Sequence, residues 1–149
     1  MNTMSRRCTQ ALVLALAMTG AAPLLAQSQA RMVGPERIQN YWIMLNTKVD
    51  ADVPNSGRNM DKPGCVAVTY LIGSDGVPQN VTVRKVVPQS DLDAVAKSVV
   101  GNFRYGPSLT NRSSEPVDTY FIVPFNLPAD PAQRQSITNA CKLPGFDQA

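Results

Sequence analysis

From Gly64 to Leu127 the spacing of apolar residues changes period in an order that spells out a small fold. Cys65-Val66-Ala67-Val68-Thr69-Tyr70-Leu71-Ile72 is rich in β-branched and aromatic side chains, which predicts a strand. Apolar residues fall on both of its faces, so it suits the middle of a sheet. Gly73-Ser74-Asp75-Gly76 supplies a turn in which Asp75-Gly76 can take positive φ, and an antiparallel hairpin follows. The return run Asn80-Val81-Thr82-Val83-Arg84 alternates, with Val81 and Val83 inward, and Pro78 near its start favours an edge position. Leu92, Val95, Ala96, Val99, Val100 and Phe103 then recur at helical spacing, with Ser90 as the expected N-cap and Pro107 as the stop. Ser108 to Pro116 is a polar loop. Val117 to Leu127 is the last strand, with Tyr120, Ile122 and Pro124 on one side and Phe121, Val123 and Phe125 on the other.

The flanks are less regular. Ile38, Tyr41, Trp42 and Leu45 lie at i, i+3, i+4, i+7 behind Pro35 and Glu36, which predicts an N-terminal helix of about three turns. Ile43 and Met44 widen its apolar face, and Trp42, the only tryptophan, is expected to be a packing anchor. Asp50 to Pro63 reads as a loop, and the tail after Pro128 is polar. Together these predict an α+β fold. A three-stranded antiparallel sheet in the order 2-1-3 (a ββαβ unit) is packed by one amphipathic helix, with an additional N-terminal helix and the last strand left on an edge.

Before this unit, Arg6-Arg7 precede an apolar run from Ala11 to about Met18, then small residues and Pro23. That is the pattern of a cleavable export signal, with cuts expected after Ala26 or after Ala30. The run is short for a membrane span, which needs roughly 20 apolar residues; a retained anchor is the alternative. The expected division is a signal peptide over 1–26, a helix and loop over 27–63, the folded unit over 64–128 and a tail over 129–149, in the periplasm. The chain carries 14 basic and 11 acidic residues. Loss of Arg6 and Arg7 leaves 12 against 11, so nothing points to nucleic acid or an anionic membrane surface.

Cleavage also removes Cys8 and leaves Cys65 and Cys141, an even pair in an oxidising compartment, which predicts a disulfide from the first core strand to the tail. The absence of histidine removes the commonest general base and metal ligand. Two distant cysteines build no zinc cluster, and neither a phosphate loop nor a nucleophile elbow is present. Asp91 and Asp93 are read as partners of a helix dipole, and Cys65 as structural, with no base beside it. No catalytic residue, metal, cofactor or small-molecule substrate is expected.

Gly64-Cys65-Val66-Ala67-Val68-Thr69-Tyr70-Leu71-Ile72, Asp75-Gly76-Val77, Asn80-Val81-Thr82-Val83, Leu92-Asp93, Phe103-Arg104-Tyr105-Gly106-Pro107, Pro116-Val117 and Pro124-Phe125-Asn126-Leu127, in that order and spacing, resemble the C-terminal domain of the TonB energy-transducer family. The resemblance covers somewhat under half the chain. It implies a module that binds an extended segment of an envelope protein, such as an outer-membrane TonB-dependent receptor, by adding it to a sheet edge. By position that edge is Tyr120, Phe121, Ile122, Val123 and Phe125. Coverage of the edge by the tail, or pairing in a homodimer, are the alternatives. The chain departs from a full transducer in having no Pro-rich spacer and no histidine in its leader. A short anchored transducer, and an enzyme or inhibitor using Cys65, are the competing functional readings.

Overall fold

The computed structural model describes residues 29–146; the leader expected over 1–26 lies outside them. In chain order the elements are β1 (Arg31–Met32), a 3-10 turn (Ile38–Asn40), β2 (Trp42–Met44), β3 (Gly64–Ile72), β4 (Pro78–Val87), α1 (Asp93–Gly101), β5 (Tyr105–Pro107), β6 (Val117–Phe125) and α2 (Pro131–Ala140).

β3 is the centre of the molecule, as its two apolar faces require. It pairs antiparallel with β4 on one side and with β6 on the other. β1 adds a short parallel strand outside β6, giving the order β1-β6-β3-β4. Among the described residues the sheet therefore has four strands, not the three expected, and β6 is flanked at its start where the sequence left it bare. β2 and β5 form a separate antiparallel ribbon.

The alternation of β3 sorts the molecule into two layers. Val66, Val68, Tyr70 and Ile72 face α1 and join Val95, Ala96, Val100 and Phe103 in the main core. Val123 and Val117 enter the same core from β6, and Val81, Val83 and Val86 from β4. Cys65 and Ala67 face the opposite way, against Cys141, with Ile122, Ile137 and Leu143 packed around them. The Cys65–Cys141 disulfide is formed, across 76 residues of sequence. The tail that reads as merely polar thus carries a helix on the second face of the sheet. Asp130 caps that helix by accepting from the Gln133 N–H at 2.8 Å, and Pro131 opens it.

The expected N-terminal helix does not form. One 3-10 turn is followed by β2, in which Trp42 is buried and Ile43 is exposed. Leu45, placed on the predicted apolar face, is 67% exposed. The physical reason lies 60 residues away in sequence, in a count that no local window contains: Tyr105-Gly106-Pro107 offers β2 a main-chain partner. Leu45 N–H donates to the Arg104 carbonyl at 2.7 Å and Ser108 N–H to the Tyr41 carbonyl at 2.9 Å. Trp42 is the anchor expected of it, its Nε1–H donating to the Glu115 carbonyl at 3.1 Å. At α1 the N-cap is Leu92, not Ser90, with no side-chain cap. Asp91 instead accepts from the Arg58 N–H at 2.7 Å and so ties down the preceding loop.

The β3–β4 turn is used twice. Gly76 takes φ +75°, its N–H donates to the Gly73 carbonyl at 2.9 Å, and its own carbonyl accepts from Tyr105 N–H at 3.0 Å. A Cβ at Gly76 would run into the Tyr105 carbonyl oxygen, so glycine is required both for the turn and for the docking of β5.

Candidate partner-binding site

The hydrogen bonds of β1 fix which way β6 points its main chain. Val33 N–H donates to the Asp118 carbonyl at 2.8 Å, so the Asp118 main chain faces away from β3. The β3–β6 register is continuous over all nine residues. Strand alternation therefore turns the main chains of Tyr120, Ile122 and Pro124 to the same outer side, and those of Phe121, Val123 and Phe125 to β3. β1 covers the outer side at Val117 and Asp118, and no strand among the described residues pairs with Thr119–Phe125 there. The Tyr120 position is flanked by the tail, whose Phe146 ring lies 4.9 Å away edge-on. Beyond it, Ile122 presents an N–H and a carbonyl, and Pro124 a carbonyl alone. Proline stands where its missing N–H breaks no bond of the β3–β6 ladder.

The other edge of the sheet is built differently. β4 slips register twice, at Ala67/Val68 and Thr69/Leu71 of its partner, and carries exposed Arg84 and Lys85 and a positive φ at Asn80. Bulges and charges of this kind discourage strand addition. The two edges are thus chemically distinct, and β6 holds the regular one.

The five residues singled out from the sequence lie together on β6 but divide between its faces. Phe121, Val123 and Phe125 pack toward α1, and Ile122 packs toward α2. Val123 is buried, as is Tyr120, and Phe121, Ile122 and Phe125 are half-buried. Missing from the sequence reading is what borders them. On the α1 side a cleft of about 250 Å³ opens between the 3-10 turn, β2 and β6, lined among others by Ile38, Trp42, Met44, Tyr70, Tyr105 and Phe121. At its floor the Tyr70 and Tyr105 hydroxyls lie 2.6 Å apart. Burial, followed by the neighbouring Tyr105, pushes the Tyr70 hydroxyl well above the usual phenol range. Burial pushes Tyr105 up to about 12, against the opposing effect of its bond to Tyr70. On the α2 side a second groove of about 360 Å³ is lined by Met32, Thr69, Arg84, Asp118 and Phe146, and burial raises the Asp118 carboxyl. Among the described residues no group of three His, Cys, Asp or Glu side chains converges as a metal site would.

The described residues thus form an antiparallel core with one regular edge and a helix on each face. Residues 53–127 match the family described as Gram-negative bacterial TonB protein C-terminal. The match spans half of the chain, and the chain belongs to this family. Among solved structures it is similar to the solution NMR structure of the Pseudomonas aeruginosa TonB CTD, at 16% identity and a TM-score of 0.40, over 60% of this chain and 89% of that one. No curated protein matches the chain. β1, the 3-10 turn and β2 all lie before the matched residues, and α2 lies after them. No helix among the described residues is long and apolar enough to cross a membrane.

Proposed function

We propose that this protein is a periplasmic binding module. It takes an extended segment of an envelope protein as an added strand along the outer side of β6, in the service of TonB-dependent transport. The observation that carries this reading is the unbroken nine-residue register of β6, whose outer side pairs with no strand among the described residues at Ile122 and Pro124. The family supports it in kind, since its members work by interaction in the cell envelope.

The open stretch is short, and that bounds the affinity. Ile122 N–H, Ile122 C=O and Pro124 C=O allow three main-chain bonds, each contributing a net ~1 kcal/mol. Association costs at least ~4 kcal/mol in lost translational and rotational freedom. The main chain alone therefore sets direction and register, and side chains must supply most of the binding energy.

The test follows from the alternation. Ile122→Pro removes an outward N–H and leaves the β3–β6 bonds intact, so it folds and binds the partner about 5-fold more weakly. Val123→Pro removes a donor that faces β3, so it unfolds the sheet. The two variants are compared on an array of periplasm-facing N-terminal segments from the outer-membrane receptors of the same organism, with circular dichroism as the fold control. Wild-type-like capture by folded Ile122→Pro would sink the edge reading.

A further inference from the structure

The cleft borders β6 at Tyr120 and Phe121, next to the outer side along which an added strand would run. A strand along the outer side of β6 alternates its own side chains between the α1 and α2 faces, and those on the α1 face stand next to Phe121 and Val123. Phe121 is itself a wall of the cleft, and Ile38, Trp42 and Met44 form the wall across from it. Among the described residues no charged side chain lines this space, and its volume of about 250 Å³ accommodates one large side chain.

The floor adds a chemical requirement. Tyr70 and Tyr105 are 3% and 5% exposed, and each keeps its proton at neutral pH. Two O–H groups share one hydrogen bond, so one of their two protons is not used within the pair. A buried donor of this kind favours an occupant that brings an acceptor.

Resting on the strand-addition reading above, we propose that this cleft is the specificity pocket of the β6 edge. It takes one large uncharged side chain of the bound segment, whose outer end accepts a hydrogen bond from the Tyr70–Tyr105 pair; tyrosine and glutamine are the natural cases. Ile38, Trp42 and Met44 lie before the residues that match the family, whereas Tyr70, Tyr105 and Phe121 lie within them, so the pocket is built from both segments.

The probe is a capped nine-residue peptide of alternating threonine and valine with a central tyrosine, titrated into the ¹⁵N-labelled protein. Siblings carry phenylalanine, alanine or lysine at the centre, and a further sibling is N-methylated on the residues whose amides would pair with β6. The tyrosine peptide is expected to bind tightest. Alanine is expected to weaken it roughly 30-fold through lost apolar burial, phenylalanine about 5-fold through the lost acceptor, and lysine most of all. The double variant Tyr70→Phe with Tyr105→Phe should abolish the preference for tyrosine over phenylalanine. Ile38→Trp, which fills the cleft, should erase the ranking among central residues. If N-methylation abolishes binding while the central residue makes no difference, the pocket is refuted and the edge stands. If the N-methylated peptide binds as well as its parent, the edge reading itself fails. Absence of binding by the tyrosine peptide at millimolar concentration overturns both.

Discussion

Cutting the Cys65–Cys141 disulfide should release one layer of the molecule and spare the other. The bridge closes a loop of 76 residues, which corresponds to about 4 kcal/mol of loop-closure entropy. What else holds α2 is meagre. None of its own residues is buried, and its apolar contacts with the sheet come from half-buried Ile137 and from Leu143 just beyond it. Phe146, buried against Tyr120, adds on the order of 2 kcal/mol. Ordering a ten-residue helix costs ~1–2 kcal/mol per residue, and isolated helices of this length are marginal in water. The covalent link therefore decides whether α2 stays docked. The main core of Val66, Val68, Tyr70, Val95, Val100 and Phe103 contains no residue of α2, so it should persist. Amide hydrogen exchange, measured in oxidised and reduced protein, reads the two layers separately. Reduction should strip protection from Pro131–Ala140 while the amides of β3 stay protected, with a fall in Tm of at most roughly 15 °C. Protection retained in α2 after reduction would show that non-covalent packing suffices. Loss of protection in β3 together with α2 would show that the two cores are one. Either result refutes the layered argument.

Other expectations are more local. Gly76→Ala must leave a left-handed backbone and move the Tyr105 carbonyl, so a loss of ~2–4 kcal/mol is expected in urea unfolding, and a loss under 1 kcal/mol would contradict the close approach of β5. The buried tyrosine pair should make the protein alkali-sensitive. Both hydroxyls hold their protons more tightly folded than unfolded. Their contribution is thus complete below pH 10 and lost as pH rises through about 12, where Tyr105 titrates. Tm measured across that window should fall more steeply than in the double phenylalanine variant, and parallel curves would disprove the linkage.

The elements that declared themselves in the sequence are those whose partners are close by or whose pattern is unambiguous. β3 carries apolar residues on both faces, and only a central position satisfies them. β4 follows from the Asp75-Gly76 turn, α1 from its 3.6-residue period, and the two-sided pattern of β6 matches the observed split of Phe121, Val123 and Phe125 from Ile122. The Trp42 segment misled because Ile38, Tyr41, Trp42 and Leu45 satisfy a helical period while the unbroken apolar run Trp42-Ile43-Met44 suits a short strand equally well; β5 arbitrates, and it is remote in sequence. β1 is two residues long and gives no periodic signal at all. α2 went unread because it lacks an apolar face, a cysteine link taking the place of one; the Asp130-Pro131 pair at its start is the local signal that points to it. The cleft could not be read because its walls come from segments joined only by the fold. The strand β6 could be read, but the direction of each main chain required the bond from Val33 to Asp118.

Pro124 has a meaning beyond the site it borders. A protein with a regular exposed strand risks meeting its own copies, and every chain in solution carries the same template. Here the template is cut short: after Ile122 comes a residue that can accept but never donate, and before it the tail and β1 close in. Two copies meeting along β6 would find too few bonds to propagate into a growing filament. The shortness of the open stretch thus works as a safeguard against polymerisation.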